Sequence, residues 1–265
     1  MPNHSTQFEA TPGGMVLTNA ILLYQAESRH SAPRDGAPAF ASIHDVQQHE
    51  SGPMIAAGAP LTRAHLRRWA QALDKSAAPE ILPANVLVAH ADLLAWWVPA
   101  QVRLAYFDLA NPPEGLKALA QRTSAPVPYP AHLFVASRKG LGVYALPTSE
   151  RPGAETQLLH SPVLNVYLTG QLCWGNIPRP KALTIASIPE YERAIFESWS
   201  THPNVGQELT ITGKGGLIQL WDDLAAAKAQ RFPVKRLKPF NPNSNRKTLK
   251  APVTLGSLIA ERAQS

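Results

Sequence analysis

Cysteine is nearly absent from this chain of 265 residues: Cys173 is the only one. A lone thiol closes no intrachain disulfide, which excludes a disulfide-stapled scaffold. No Cys/His cluster stands at zinc-ligand spacing, so a structural metal is not implied, and no cofactor is expected. Runs of about 18 apolar residues are missing. The first residues also lack the basic-then-apolar layout of a signal peptide. The expectation is a soluble, cytoplasmic protein with no membrane partner. Gly213-Lys214-Gly215-Gly216 lacks the leading glycine and the Ser/Thr after the lysine of a Walker loop, so it reads as a turn rather than a phosphate site.

Proline, by contrast, is abundant, at 25 residues, well above the usual frequency of about 5%. Short elements joined by many rigid loops follow from that. The formal charge of +6 is unevenly spread. Arg231, Lys235, Arg236, Lys238, Arg246, Lys247 and Lys250 occur within 231–250 without an acid. Taking these seven from 25 basic residues leaves 18 against 19 acidic ones. The body is near neutral, and the basicity belongs to the tail.

The chain is divided here into a disordered lead (1–14), an N-terminal α+β segment (15–95), a domain carrying Cys173 (96–232) and a basic mobile tail (233–265). Met15 to Tyr24 and Pro38 to Val46 read as strands around a turn-rich loop, Ser28 to Gly36, and a short apolar piece runs from Met54 to Ala57. Thr62 to Lys75 reads as a helix, with Leu66, Trp69, Ala70 and Leu73 on one face. His44, His65 and His90 have no second ligand at helical or hairpin spacing and read as surface or core histidines. Asn85 to Ala89, Val102 to Phe107, His132 to Ser137 and Leu141 to Leu146 are β-like runs, the last two joined by Arg138-Lys139-Gly140 as a hairpin turn. Trp96-Trp97 is either a core anchor or the rim of a partner site, and the core is favoured because large aromatics dominate cores of this size. Asn111 to Pro130, with its prolines, reads as a surface loop with at most a helical turn at Leu116 to Arg122. Ser187-Ile188-Pro189-Glu190 has the form of a capping box opening a helix with Tyr191, Ala194, Ile195, Ser198 and Trp199 inward, ending at His202-Pro203-Asn204. Leu217 to Gln230 reads as a last helix with Leu217, Leu220, Trp221 and Leu224 inward. The apolar piece Val253 to Ala260 either docks as a helix or stays free.

The stretch His160 to Asn176 holds the chemistry. Asn165 stands eight residues before Cys173, and Gly170 is placed for a turn between them. Acyl transfer needs such a pair: a thiolate nucleophile to carry a thioester and an amide donor to hold the oxyanion when that thioester is attacked. Gly175, Pro178 and Pro180 place the cysteine in an extended segment rather than inside a helix. The plainer reading is a small buried thiol on an ordinary strand and turn.

His160, Asn165, Gly170 and Cys173 resemble the His-Pro-Asn … Gly-x-x-Cys signature of ubiquitin-conjugating enzymes, although Ser161 to Leu164 separate His160 from Asn165 here. Arg151-Pro152, Thr156, Leu159-His160-Ser161-Pro162, Asn165-Val166-Tyr167, Gly170, Leu172-Cys173, Gly175-Asn176 and Ser198-Trp199-Ser200-Thr201-His202 resemble PRTRC system protein B, a prokaryotic conjugating-enzyme-like family (family D), from about Ala20 to Phe240. The resemblance implies an α+β, ubiquitin-conjugating-enzyme-like (UBC-like) fold, an antiparallel meander followed by helices, preceded here by a β-rich extension with one helix. It implies that Cys173 receives a ubiquitin-like protein as a thioester from a ThiF-like activating enzyme and passes it to an amine. Asn165 is then an oxyanion donor, a brace for its loop, or both. His202 and His160 are candidates for a proton acceptor or for shaping the site, although a helix-terminal His202 would favour its charged form. Tyr167, Trp174 and Asn176 are walls of the site. A JAB-like peptidase of the same system is a further partner.

Two rival readings differ in class. Gln171-x-Cys173-Trp174 with His202 downstream faintly resembles a papain-type peptidase, but that class sets its cysteine at a helix start, which Gly175, Pro178 and Pro180 oppose. The other rival is non-enzymatic: a UBC-like scaffold with an idle cysteine, or an accessory of a plasmid-type gene cluster whose basic tail binds DNA phosphates or steers an acidic protein partner.

Overall fold

The computed structural model describes residues 17–25, 39–50, 52–72, 81–204, 206–242 and 252–263. The expected lead, the loop Ser28 to Gly36, Leu73 to Lys75 of the first helix, and Arg246, Lys247 and Lys250 of the tail lie outside them. The chain divides into two compact units, Met1–Glu80 and Ile81–Ser265.

The first unit is a three-stranded antiparallel sheet in the order β1 (Asn19–Gln25), β2 (Ala39–His49), β3 (Gly52–Pro60), followed by helix α1 (Arg63–Ala72). On β2, Ser42 and His44 share a face, and the ring of His44 lies 2.7 Å from both Ser42 Oγ and the Ala56 carbonyl. A structural imidazole fits that position.

In the second unit, β4 (Val86–His90), β5 (Leu93–Val98), β8 (His132–Ser137), β9 (Gly140–Ala145) and β10 (Leu159–His160) form one antiparallel sheet, ordered β10-β9-β8-β5-β4. Residues 86–90 and 93–95, assigned above to the N-terminal segment, therefore pair into the sheet that carries the rest of this unit. Both faces of the sheet are covered. Leu94, Trp96, Phe134, Ala136, Leu141 and Val143 join one hydrophobic cluster. Leu93, Ala95, Leu133, Val135 and Tyr144 join a second on the other side. Burial on both faces explains why these strands read as continuous apolar runs instead of alternating ones. Trp96 is fully buried, stacked 5.2 Å from Phe134, as the core reading of the tryptophan pair anticipates.

Between β5 and β8 the chain leaves this sheet for a second, ordered β11-β6-β7, built from β6 (Gln101–Phe107), β7 (Thr123–Tyr129) and β11 (Trp199–Ser200). β7 corrects the surface-loop reading of 111–130. Its prolines fall at Pro126 and Pro128, opposite Leu104 and Val102. Spaced by two on an edge strand, they leave their missing N–H groups on the free side, where proline is tolerated.

Helix α2 (Ile188–Phe196) buries Tyr191, Ala194 and Ile195 as its periodicity requires. It ends at Glu197, so Trp199 and Ser200 are strand residues rather than a helical face, paired in parallel with Tyr106 and Phe107 of β6. The capping box is absent: Ser187 Oγ lies 3.0 Å from Thr184 Oγ1 and caps nothing. A 3-10 turn (Ile185–Ser187) that runs straight into the helix has already bent the backbone away from the cap geometry. Helix α3 (Gly216–Ala226) buries Leu217, Leu220, Trp221 and Leu224, the positions its spacing selects. It is not the last helix. Helix α4 (Leu255–Ala263) docks through Leu255 and Leu258 on the cluster around Tyr144 and Phe240. The described part of the tail is thus packed, because Leu237, Phe240, Leu255 and Leu258 are all buried. Among the described residues no helix is long and apolar enough to cross a membrane.

Candidate functional site

Asn165 to Cys173 forms a short hairpin on the outer edge of β9. The Cys173 N–H donates to the Asn165 carbonyl at 2.7 Å, and the Tyr167 N–H donates to the Gln171 carbonyl at 2.8 Å. Tyr167 to Gly170 closes the turn, with the Gly170 N–H on the Tyr167 carbonyl at 2.8 Å. Gly170 has φ +79°, and a Cβ there would lie 2.6 Å from the Tyr144 ring. Only glycine satisfies both demands. The second arm pairs with β9 through Leu172 N–H to the Leu141 carbonyl and Val143 N–H to the Gly170 carbonyl, each 2.8 Å.

That pairing sorts the hairpin's side chains by parity. Val166 and Leu172 face inward and are buried. Asn165, Tyr167, Gln171 and Cys173 share the outer face, with Tyr167 exposed and the other three half-buried. The Tyr167 hydroxyl donates to Cys173 Sγ at 3.1 Å. This is a diagonal contact within the reach of an aromatic side chain across a pleated pair. The phenol is held above its ordinary pKa by that hydrogen bond first, then by the sulfur's charge, with burial adding least. Asn165 Nδ2 donates to the Trp199 carbonyl at 3.3 Å, which ties the hairpin to β11. The structure therefore brings Cys173, Asn165 and Tyr167 together.

The remaining predicted residues are placed as follows. Trp174, next to Cys173 in sequence, is buried in the core cluster, its Nε1 has no hydrogen-bond partner, and the Arg179 guanidinium lies 5.5 Å from its ring centroid. Asn176 is exposed in the turn that follows. His202 is exposed in coil beyond β11, its Nδ1 2.9 Å from Thr201 Oγ1. Because α2 ends at Glu197, no helix dipole acts at His202, contrary to the expectation from the sequence. His160 sits on β10 and is buried, with its ring centroid 5.1 Å from that of Phe240. Its Nε2 accepts the Asn241 N–H at 3.1 Å. Burial, and then Lys238, lowers its pKa to about 4. An imidazole so enclosed serves packing rather than proton transfer.

Several positioning residues escaped the sequence reading. Gln207, 1% exposed, donates from Nε2 to the carbonyls of Val163 at 2.8 Å and Val166 at 2.6 Å, while its Oε1 accepts the Asn204 N–H. Trp221 Nε1 donates to the Pro162 carbonyl at 2.9 Å. His132, 1% exposed, reaches Ser161 Oγ with Nε2 and the Pro130 carbonyl with Nδ1. Burial lowers its pKa to about 4; the bond to Pro130 opposes that shift and Arg103 adds to it. The run Ser161 to Val166 is thus pinned from inside by three side chains distant in sequence. Farther off, the buried Asp222 carboxylate accepts the backbone N–H groups of Lys117, Ala118 and Leu119. Desolvation works against its charge, but these donors and Lys117 prevail and lower its pKa. Trp221 is marked by its place on the inward face of α3, but its bond to Pro162 is not; for Gln207, His132 and Asp222 the sequence signal is a polar residue set among apolar ones.

Among the described residues no three His, Cys, Asp or Glu side chains converge as metal ligands would. A half-exposed thiol on a hairpin face, an amide across the pair and a hydroxyl on the sulfur suit acyl transfer better than hydrolysis, since no imidazole reaches the sulfur among the described contacts. No curated protein and no solved structure matches the chain. The family model of Prokaryotic E2 family D matches residues 64–240, about two-thirds of the sequence, and that span includes the entire hairpin, α2 and α3. The chain belongs to Prokaryotic E2 family D.

Proposed function

We propose that Cys173 accepts a ubiquitin-like protein as a C-terminal thioester from a ThiF-like activating enzyme and passes it to an amine. The observation that carries this reading is the half-buried Cys173 directly across the hairpin pair from Asn165. In loading, the Cys173 thiolate attacks the donor thioester carbonyl, a new C–S bond forms, and the activating enzyme's sulfur leaves as a thiolate. In discharge, an amine attacks the same carbonyl, the C–N bond forms, the electron pair of the C–S bond returns to Cys173, and the amine's proton passes to solvent. Asn165 has two amide hydrogens, one of them directed at the Trp199 carbonyl. The brace and oxyanion roles are therefore compatible, and a donor of this kind is typically worth about 3 kcal/mol in the transition state. The UBC-like fold, the association with a PRTRC-type gene cluster and a JAB-like peptidase partner belong to the same proposal.

The test mixes the protein with the activating enzyme and ubiquitin-like protein encoded beside it, plus ATP. The expected product is a reductant-sensitive adduct that disappears in Cys173→Ala. An adduct that survives this substitution, or none from the intact protein, overturns the proposal. Part of the basic tail is occupied: Arg236 donates to the carbonyls of Thr212 at 3.0 Å and Lys214 at 3.2 Å. That engagement ties one of the seven basic residues of 231–250 to the fold.

A further inference from the structure

We infer that Tyr167 is a catalytic residue rather than a wall of the site: its hydroxyl donates to the Cys173 sulfur whenever that sulfur carries negative charge. The inference rests on the acyl-carrier reading for its role in turnover, but its chemical core concerns this chain alone.

The geometry is built rather than incidental. Tyr167 and Gln171 form one pair of the hairpin and Asn165 and Cys173 form another, so Tyr167 and Cys173 meet on the diagonal of a single face. The register is locked by Gly170, which cannot move off Tyr144, and by the buried Val166 and Leu172 beneath. The phenol oxygen is 3.1 Å from Sγ while Tyr167 as a residue is 44% exposed, so the hydroxyl reaches the sulfur from the solvent side of the hairpin. The raised pKa of the phenol keeps its proton in place as a donor.

Sulfur is anionic at two points of the cycle, as nucleophile before loading and as leaving group when the C–S bond breaks in discharge. The contact in the free protein is the one each of those states requires. Tyr167 gives a hydrogen bond and retains its proton, so no acid or base is consumed. A thioester sulfur accepts hydrogen bonds poorly. While the acyl group is attached, the hydroxyl is therefore released to the carbonyl oxygen beside it, the atom on which charge develops when the amine attacks.

Tyr167→Phe removes the hydroxyl and keeps the ring. Because the chain has a single cysteine, the rate of alkylation by iodoacetamide against pH reports on Cys173 alone. A lost donor disfavours the thiolate yet leaves it more nucleophilic. If losing the donor lowers the thiolate fraction near pH 7 about tenfold and the nucleophilicity follows a Brønsted slope of about 0.5, the variant reacts roughly threefold more slowly near pH 7 and roughly threefold faster at a pH where both thiols are ionised. The two profiles cross. A purely shielding tyrosine would give superimposed or parallel profiles, and either result overturns the inference. In the second arm, discharge of the preloaded thioester to free lysine slows in Tyr167→Phe. Crossed profiles in a protein that never loads would sink the acyl-carrier reading and leave the donor assignment standing. Superimposed profiles in a protein that loads normally would do the reverse.

Discussion

From His160 to Val166 every residue but Asn165 is buried, whereas from Tyr167 to Asn176 buried positions alternate with open ones. The first arm is held by side chains from elsewhere in the fold, namely Gln207, Trp221 and His132. The second is held by backbone pairing to β9 and presents Tyr167, Gln171 and Cys173 outward between buried neighbours. One arm fixes where the hairpin sits, and the other presents Tyr167 and Cys173 on its outer face. Asn165 belongs to both, since its neighbours are clamped while its own side chain reaches the hairpin's outer face and β11.

Acid is the harshest way to break the difference, because it acts on the buried arm first. His132 and His160 have pKa values of about 4 in the fold, against an ordinary 6.5. Between those values the unfolded chain binds protons that the folded chain refuses, so stability rises with pH across the window and is lost on descending through it. Each histidine contributes on the order of 3 kcal/mol to that loss. Urea midpoints should be flat above about pH 6.5 and fall steeply toward pH 4, and His160→Gln should remove about half of the slope. Asp222, whose pKa is lowered, adds its own loss only as pH falls further, below its ordinary value of 3.8.

A smaller and more local effect is expected from Gln207→Ala. It strands the Val166 carbonyl in the interior, while the Val163 carbonyl keeps the Val166 N–H and the Asn204 N–H keeps the Leu164 carbonyl, for a cost of about 2 kcal/mol by urea unfolding. Amide exchange should then accelerate in 161–166 more than in 167–173. Equal acceleration of both arms would show that they do not differ in what holds them.

These two arms also differ in how far they could be read from sequence. The presenting arm is legible because its determinants are local: a glycine for the turn, prolines that forbid a helix, and an even spacing of Asn165 and Cys173 that a hairpin converts into one shared face. Helix α3 was legible for the same reason, its apolar residues recurring at 3.6-residue spacing. The clamped arm was not, because Gln207, Trp221 and His132 reach it across separations of 29 to 59 residues. His160 matches the motif in sequence, but Phe240 and Asn241, about 80 residues away, enclose it in the fold. The proline-bearing strand β7 was missed because proline frequency was read without its parity, and the α2 boundary because the pairing of Trp199 with Tyr106 is a tertiary event that outcompetes two more helical residues.

The mildest test concerns His202, the one candidate base left outside both arms. It is exposed, it bonds only its neighbour Thr201 among the described hydrogen bonds, and it lies in coil past β11. His202→Ala should therefore change stability by less than about 0.5 kcal/mol, as exposed substitutions usually do. It should also leave iodoacetamide alkylation of Cys173 unchanged, since the group on the sulfur is Tyr167 and not an imidazole. If alkylation near pH 7 falls in His202→Ala as far as in Tyr167→Phe, the loop after β11 moves onto the hairpin in solution. The division between a clamped arm and a presenting arm would then have to include a third segment that supplies a base from outside.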